Sequence, residues 1–204
     1  MSAAERRRLR RPSEMKNRFL ANNRYYDHQF KMDVIKIMPG EFYVASGRIA
    51  LATVLGSCVS AIIWDPITRI GGMNHFMLAA GNHRIDAAYD SARFGLYAMD
   101  TLIEHVLMAG AMSQSLEAKV FGGGAVLKGF THSDIGGDNA RFVLDYLDEV
   151  NIPITGQSLG DVYPRRLYFF PENGQVLMRK LKVDESPQVV REEQDFRFRL
   201  SREG

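Results

Sequence analysis

The stretch ATVLGSCVSAIIWD, from Ala52 to Asp65, determines how the rest of the chain is interpreted. Its β-branched and aliphatic residues predict two strands, and Gly56-Ser57 predicts a break between them. The only cysteine of the chain, Cys58, follows that break directly. This position suits either a residue of the packed core or a nucleophile held at the end of a strand.

The segments on either side continue the β pattern. VIKIMPGEFYVA (Val34 to Ala45) alternates in polarity and then turns at Pro39-Gly40, which is typical of strand, turn and strand. A turn from Asp65 to Gly72 leads to another short apolar segment, MNHFML. We expect these pieces to pair in one sheet.

Two helices and a hairpin are predicted further along the chain. Apolar residues at helical spacing predict a helix from Ser91 to Ala109, capped by Asp90 or Ser91 and stopped at Gly110. A second helix is predicted from Asp138 to Val150. EAKVFGG (Glu117 to Gly123) is typical of a buried strand, and Arg165 to Val183 of a hairpin that turns at Pro171 to Gly174.

This order of elements predicts the fold class. Strands, helix, strand, helix and hairpin indicate an α+β domain. Strands and helices do not alternate regularly, which disfavours a Rossmann-like sheet. The 204 residues, 46% of them hydrophobic and 25% charged, suit one globular domain with tails.

Cysteine content and hydropathy limit the class of protein. A single cysteine excludes an internal disulfide and leaves too few thiols for a cysteine-rich zinc site, which suits a reducing cytoplasm. No apolar run is long enough to cross a bilayer, and no apolar segment follows the basic N-terminus as in a signal peptide.

The charge is concentrated at the start of the chain. Residues 1–31 carry nine Lys or Arg and three acids, including five arginines between Arg6 and Arg11. We predict a basic, disordered leader over 1–31, a folded domain over 32–186, and a charged tail over 187–204 that frays. The leader has no nucleic-acid-binding motif, so no nucleic-acid partner is expected.

Other candidate motifs favour structural roles. The glycine-rich FGGGAVLKG (Phe121 to Gly129) does not match a P-loop and is interpreted as a tight turn with close backbone packing. No two histidines are four residues apart on a helix, so no metal site is predicted. We expect His28, His83 and His132 to be on the surface. We expect His105 to be a partly exposed helix residue.

Cys58 and His75 remain as a candidate catalytic pair. A free thiol is mostly protonated at neutral pH, and a nearby histidine can accept its proton. His75 lies on the apolar segment that follows the turn after the Cys58 strand, so the two are expected to be neighbours. On this local pattern alone, an inert buried cysteine is the commoner case.

Seven segments that occur in order carry a resemblance to a known family. They are PGEFYVA, TVLGSCVSAIIWD, GGMNHFML, ARFGLYAMDTLI, EAKVFGGGAVL, IGGDNARFVLDYL and RRLYFFPENGQVLMRKL. Together they resemble the CheD family, the chemoreceptor glutamine deamidases of bacterial chemotaxis. The resemblance covers roughly residues 34–183, with the histidine seventeen positions after the cysteine as in the family.

The resemblance implies a function and a set of site residues. The family hydrolyses selected glutamine side chains in methyl-accepting chemotaxis receptors to glutamate. By resemblance, Cys58 is the nucleophile, His75 the general acid/base and Thr53 the third polar member, and Asn74 is either an orienting group or a turn-side hydrogen bonder. No cofactor or metal is implied.

The resemblance also implies an architecture and a location. The expected fold is stacked β-sheets flanked by helices, similar to the catalytic domain of cytotoxic necrotizing factor. The expected location is the cytoplasm, with contact to the membrane only through the receptors.

Two alternatives remain open. Members of the family also form complexes with the CheC-type phosphatase of the same pathway, so the chain is alternatively a mainly regulatory partner of such a phosphatase. The same Cys58 and His75 pair would also serve a cysteine protease.

Overall fold

The computed structural model describes residues 19–78, 85–126, 134–182, 191–196 and 198–199, with only the backbone described for 85–93. Ten strands, two α-helices and one 3-10 turn are assigned to these residues, and 191–196 form a short helical segment. The strands are β1 (Asn23–Asp27), β2 (Met32–Lys36), β3 (Phe42–Ser46), β4 (Ala50–Leu55), β5 (Val59–Asp65), β6 (Ile70–Asn74), β7 (Glu117–Gly122), β8 (Ile154–Leu159), β9 (Arg165–Phe170) and β10 (Gln175–Lys180). The helices are α1 (Ile85–Met108) and α2 (Ile135–Glu149), and the 3-10 turn is Ser113–Ser115.

The strands form two sheets of five. The first has the order β1-β2-β4-β9-β10 and the second β3-β6-β5-β7-β8. The chain is α+β, as predicted, but the expectation that the early strands pair in one sheet is wrong. β4 belongs to the first sheet and β5 and β6 to the second, because the chain crosses between the sheets at residues 56–58.

Burial on both faces explains the continuous apolar run of β5. Ile62 packs in a cluster between the sheets, with Leu51 of β4 and Phe169 of β9. Its neighbours Ala61 and Ile63 face a second cluster, built with the helices. The second sheet is therefore the middle layer, between the first sheet and the helices, and it contributes side chains to both clusters.

The helices are found where they were predicted, but with different starts. α1 begins six residues before the predicted Ser91, so Asp90 and Ser91 lie inside the helix and the predicted cap is wrong. α2 begins at Ile135, where Asp134 caps it by accepting a hydrogen bond from the backbone N–H of Gly137 at 2.9 Å. None of the helices in the described part of the chain is long and apolar enough to cross a membrane.

The two ends of the chain contain more structure than expected. β1 pairs with β2 in antiparallel register, so the part of the leader that the structure describes is folded. The side chains of β1 are mostly exposed, which gives little hydrophobic pattern to detect. The helical segment 191–196 lies in the tail that was expected to fray. The arginine run from Arg6 to Arg11 lies outside the described residues.

The close backbone packing predicted for the glycine-rich segment is present where the structure describes it. Gly122 has a φ of +112°, and a Cβ placed there would lie 2.1 Å from the carbonyl oxygen of Cys58. The backbone N–H of Gly123 donates to the same oxygen at 2.8 Å, and that of Gly124 donates to the carbonyl of Gly56 at 2.8 Å. The glycines thus allow close approach to the loop that carries the cysteine.

Asp65 at the end of β5 ties the turn after it to the segment after α1. It is fully buried, and its oxygens accept from the Thr68 hydroxyl at 2.7 Å and the Ser115 hydroxyl at 2.8 Å. The backbone N–H groups of Ile67 and Met112 donate to it at 2.9 Å each. Burial alone would raise the pKa of this carboxyl, but the hydrogen bonds outweigh it and hold the pKa well below the usual range.

We expect Asp65→Asn to lower the free energy of unfolding by about 3 kcal/mol at pH 7, because an amide cannot accept four hydrogen bonds. The folded pKa is depressed, so the stabilisation by Asp65 is present above the unfolded pKa, about 3.9, and is lost as pH falls toward the folded pKa. Denaturant unfolding from pH 7 to pH 3 should show the gap between the two proteins narrowing below about pH 4.

Asp145→Asn, at an exposed position of α2, is the matched control and should leave the free energy of unfolding at pH 7 unchanged. An equal loss in both variants, or a gap for Asp65→Asn that does not depend on pH, would contradict the role given to Asp65.

Candidate active site

Cys58 lies on the loop that joins β4 of the first sheet to β5 of the second. Its side chain is fully buried. The N–H of Val59 donates to the carbonyl of Phe76 and the N–H of Phe76 to the carbonyl of Val59, so the residues that follow Cys58 and His75 form a bridge. This bridge brings the cysteine and the histidine together, as the sequence predicted.

Thr53 and His75 form a buried hydrogen-bonded pair. The Thr53 hydroxyl lies 2.8 Å from the carbonyl oxygen of Ile37 and 2.9 Å from Nδ1 of His75. A hydroxyl has one hydrogen, and the carbonyl can only accept it, so the Thr53 oxygen accepts from the imidazole. This geometry assigns the proton to Nδ1 and leaves a lone pair on Nε2.

Nε2 of His75 is buried and has no hydrogen-bond partner among the described residues. An orphaned buried nitrogen is costly in a purely structural histidine. The Sγ of Cys58, a ring nitrogen of His75 and a carboxylate oxygen of Glu193 all lie within 4.8 Å of one another. The lone pair that Thr53 fixes on Nε2 is therefore available to a group in this cluster.

The pKa values of Cys58 and His75 disfavour a thiolate–imidazolium ion pair. Burial, and then the negative charge and hydrogen bond of Glu193, raise the pKa of the Cys58 thiol well above its usual value. Burial lowers the pKa of His75 to about 4, and the Glu193 charge opposes that shift only in part. In this conformation the thiol and the imidazole are both neutral.

The backbone of residues 56–58 forms a nest of N–H donors around the Glu193 carboxylate. One oxygen accepts from the N–H of Gly56 at 2.7 Å and of Cys58 at 3.1 Å. The other accepts from the N–H and the hydroxyl of Ser57, both at 2.8 Å. Such a nest binds an anion.

Two asparagines hold the elements of the site. Asn139 of α2 donates to the carbonyl of Ser57 at 2.9 Å and accepts from the N–H of Leu78 at 2.7 Å, which links the cysteine loop to the segment after His75. Asn74 accepts from the N–H of Ala61 at 2.9 Å. It also donates to the carbonyl of Ala98 in α1, at 3.2 Å. Asn74 therefore joins β5, β6 and α1, which fits the structural interpretation of this residue.

Cys58, His75 and Glu193 also have the donor types of a metal site. Both Glu193 oxygens, however, already accept two hydrogen bonds each, and the high thiol pKa disfavours the thiolate that a metal requires. The arrangement fits a nucleophile, a base and an anion-binding nest better than a metal centre.

Of the other predicted histidines, two are described. His28 is exposed, as predicted. His105 is half-buried in α1, where its ring packs edge-on against Phe42 with centroids 4.7 Å apart, also as predicted. His83 and His132 lie outside the described residues.

Sequence reasoning missed Glu193 and gave Asn139 no role. Glu193 belongs to a charged tail and is only 1% exposed. The available signal was Phe196, an aromatic residue three positions later, because two residues at that spacing share one face of a helix. Asn139 had only the preference of asparagine for the first turns of helices.

A family model described as CheD chemotactic sensory transduction matches residues 77–180 of the chain. This match begins after Cys58 and His75, so it reflects the helices and later strands rather than the candidate catalytic pair.

Full-length relatives extend the similarity across the site. The chain is 48% identical over 179 residues to a probable chemoreceptor glutamine deamidase CheD 1 of Shewanella oneidensis, covering 87% of each protein. It is 49% identical over 189 residues to a probable chemoreceptor glutamine deamidase CheD of a Janthinobacterium species, covering 92% of this chain and 93% of the relative. A probable CheD 1 of Dechloromonas aromatica is 50% identical over 182 residues, covering 89% of this chain and 90% of the relative.

Proposed function

The chain belongs to the CheD family, and on that basis we propose that it hydrolyses glutamine side chains of chemoreceptors to glutamate, with Cys58 as the nucleophile and His75 as the general acid and base. The observation that carries the assignment is Nε2 of His75, which has no hydrogen-bond partner in the described part of the chain. The His75 ring is buried beside the thiol, and Thr53 fixes the lone pair on Nε2.

The first half of the reaction forms a thioester. Nε2 of His75 takes the proton of the Cys58 thiol as Sγ attacks the amide carbon of the substrate. The negative charge that develops on the amide oxygen is stabilised by backbone N–H groups of residues 56–58. His75 then delivers the proton to the departing nitrogen, which leaves as ammonia when the C–N bond breaks.

The second half releases glutamate. Water attacks the thioester carbon while Nε2 of His75 accepts one of its protons, and the C–S bond breaks as the proton returns to sulfur. Thr53 acts through His75: by accepting from Nδ1 it keeps the lone pair on Nε2 at both stages. These groups account for every bond and proton of the two half-reactions.

The two alternative functions are less well supported. A purely regulatory partner of a CheC-type phosphatase has no use for a buried histidine whose ring lies beside a thiol. Association with such a phosphatase stays a prediction. A cysteine protease would use the same pair, so the product of the reaction must distinguish it. We place the protein in the cytoplasm, where the receptor segments that it modifies would be reached.

We expect the protein to convert glutamines of receptor cytoplasmic fragments to glutamate and to release one ammonia for each conversion. Peptide mass spectrometry should show a mass gain of about 1 Da at the modified residue, with the backbone intact because the thioester forms on the side chain. A coupled ammonia assay on the same samples gives the stoichiometry.

The control is a fragment in which the modified glutamine is replaced by asparagine. This places the amide one methylene closer to the backbone of the fragment. It should react much more slowly. Cleavage of the fragment backbone would support the protease instead, and an unchanged mass across the receptor fragments tested would contradict deamidation.

A further inference from the structure

Glu193 is a buried carboxylate on a helical segment that also carries exposed residues. Its relative exposure is 1%, whereas Arg191, Gln194 and Asp195 of the same segment are exposed. Removing a carboxylate from water is costly unless hydrogen bonds replace the water. The four donors of residues 56–58 provide that replacement, so Glu193 is bound as a ligand would be.

The place that Glu193 occupies is the place where the reaction occurs. Its carboxylate lies within 4.8 Å of the Cys58 thiol and the His75 imidazole, on the N–H groups that would stabilise an amide oxygen under attack. A glutamate side chain is also the product of glutamine deamidation. Glu193 is therefore chemically identical to the group that leaves the site after turnover.

Flanking residues contact the surface around Lys36, Gly40 and Gly56, which we call the catalytic groove. The Phe196 ring packs against Gly40, where a Cβ would lie 2.7 Å from the ring, and joins the cluster between the two sheets. Glu192 lies 3.7 Å from Nζ of Lys36. A Cβ at Gly56 would lie 2.7 Å from the Glu193 carboxylate, so glycine makes room for it.

These contacts make binding of Glu193 and binding of a substrate glutamine mutually exclusive. A substrate glutamine cannot reach Sγ while Glu193 is present, because both need the same donors. We propose that residues 191–196 are an intramolecular competitor of the substrate, which occupies the catalytic groove with Glu193 as a product mimic. This inference rests on the proposed function and adds a regulation of the same site.

Release of the segment changes the chemistry as well as the access. Two of the three influences that raise the pKa of Cys58 come from Glu193. Its departure removes a negative charge from beside the thiol and leaves the N–H donors free for the substrate. A tethered occupant acts at a high effective concentration, so even a weak contact holds the groove closed against dilute substrate.

The test compares wild type with the full-length double variant Glu193→Ala plus Phe196→Ala. Asp195→Ala is the matched control, since it removes an exposed carboxylate from the same segment. The first measurement is the rate of Cys58 alkylation by iodoacetamide, followed by intact mass. We expect alkylation at least about 10-fold faster in the double variant and unchanged in the control.

Steady-state kinetics on a receptor fragment give the second measurement. Loss of a competitor lowers KM and leaves kcat unchanged, whereas loss of a structural or catalytic residue lowers kcat. Faster alkylation without receptor deamidation would support the competitor and contradict the proposed function. Unchanged alkylation, or a reduced kcat at unchanged KM, would overturn the competitor.

A synthetic peptide of residues 187–204 provides a test that does not depend on the folding of the double variant. Added to the single variant Phe196→Ala, it should slow alkylation, and the same peptide with Glu193→Ala should not. Equal effects of the two peptides would show that the carboxylate does not occupy the nest, and would overturn the proposal.

Glu193→Gln is the most direct test. If the carboxylate marks the product position, the amide of this variant lies at the reacting position, and Cys58 should convert it back to glutamate with a mass gain of about 1 Da. The same substitution in a Cys58→Ala background should keep its mass. A Glu193→Gln protein whose Cys58 is alkylated as slowly as in wild type, so that the segment still occupies the site, and that deamidates receptor fragments but keeps its own amide would overturn the product mimic.

Discussion

Cys58→Ala is expected to abolish deamidation of receptor fragments, a loss on the order of 10⁴-fold or more. Cys58 is the only cysteine of the chain, so no other thiol can take its place beside His75. Without Sγ no thioester forms, and direct attack by water would have to displace ammonia without covalent help. Ammonia release at saturating substrate measures the loss.

Ser60→Ala is the matched control for this variant. Ser60 is fully buried on β5, two residues from Cys58, and its hydroxyl has no hydrogen-bond partner among the described residues. Removing that oxygen breaks no hydrogen bond, so turnover should be unchanged. Residual ammonia release by Cys58→Ala above the background of the fragment alone would contradict a thioester mechanism.

The β-rich character of the stretch from Ala52 to Asp65 could be predicted, but not its division between two sheets. Hydrophobic pattern reports that a strand is buried and does not identify its partners. The run of β5 is apolar on both faces because the strand is covered on both sides. That pattern predicted a strand and was silent about which neighbours pair with it.

Proximity of Cys58 and His75 was predictable from the short turn between their segments, whereas the protonation of the pair was not. An isolated thiol and imidazole close together favour an ion pair. Burial of both groups, together with the charge and hydrogen bond of Glu193 at the thiol, shifts the balance to the neutral forms. Glu193 lies 135 positions from Cys58 in the chain, so no local pattern can indicate its contribution.

The ends of the chain show why composition is a weak guide to structure at termini. The exposed β1 forms by pairing its backbone with β2, which requires no apolar pattern. The segment 191–196 is held by one buried carboxylate and one aromatic ring among charged neighbours. Both features depend on a partner surface already present in the fold, so they follow from the fold rather than from their own sequence.

His75→Asn is expected to lower kcat on the order of 10³-fold, because asparagine cannot take and return a proton. It should also raise the pH at which Cys58 reacts with iodoacetamide, since the thiol loses the base that accepts its proton. Each variant is compared in a Glu193→Ala background, so that the Glu193 carboxylate does not restrict access of iodoacetamide to the thiol in any of them. Thr53→Val is the companion variant, which leaves the imidazole in place but removes the acceptor at Nδ1.

The shape of the pH curves tests the base directly. The pKa of His75 is about 4, so the imidazole is neutral above that pH, and alkylation with His75 present should extend well below the range of a free thiol, whose pKa is about 8.5. With His75→Asn the curve should move up to that range or above it, because burial also raises the pKa of Cys58. The curve of Thr53→Val should lie between the two, because either ring nitrogen can then carry the proton. His105 is half-buried on α1, and the alkylation curve of His105→Asn should overlay the curve measured with His75 and Thr53 both present. If His75→Asn also overlaid it, the proton of Cys58 would have to leave by another path, and the lone pair that Thr53 fixes on Nε2 would have no catalytic use.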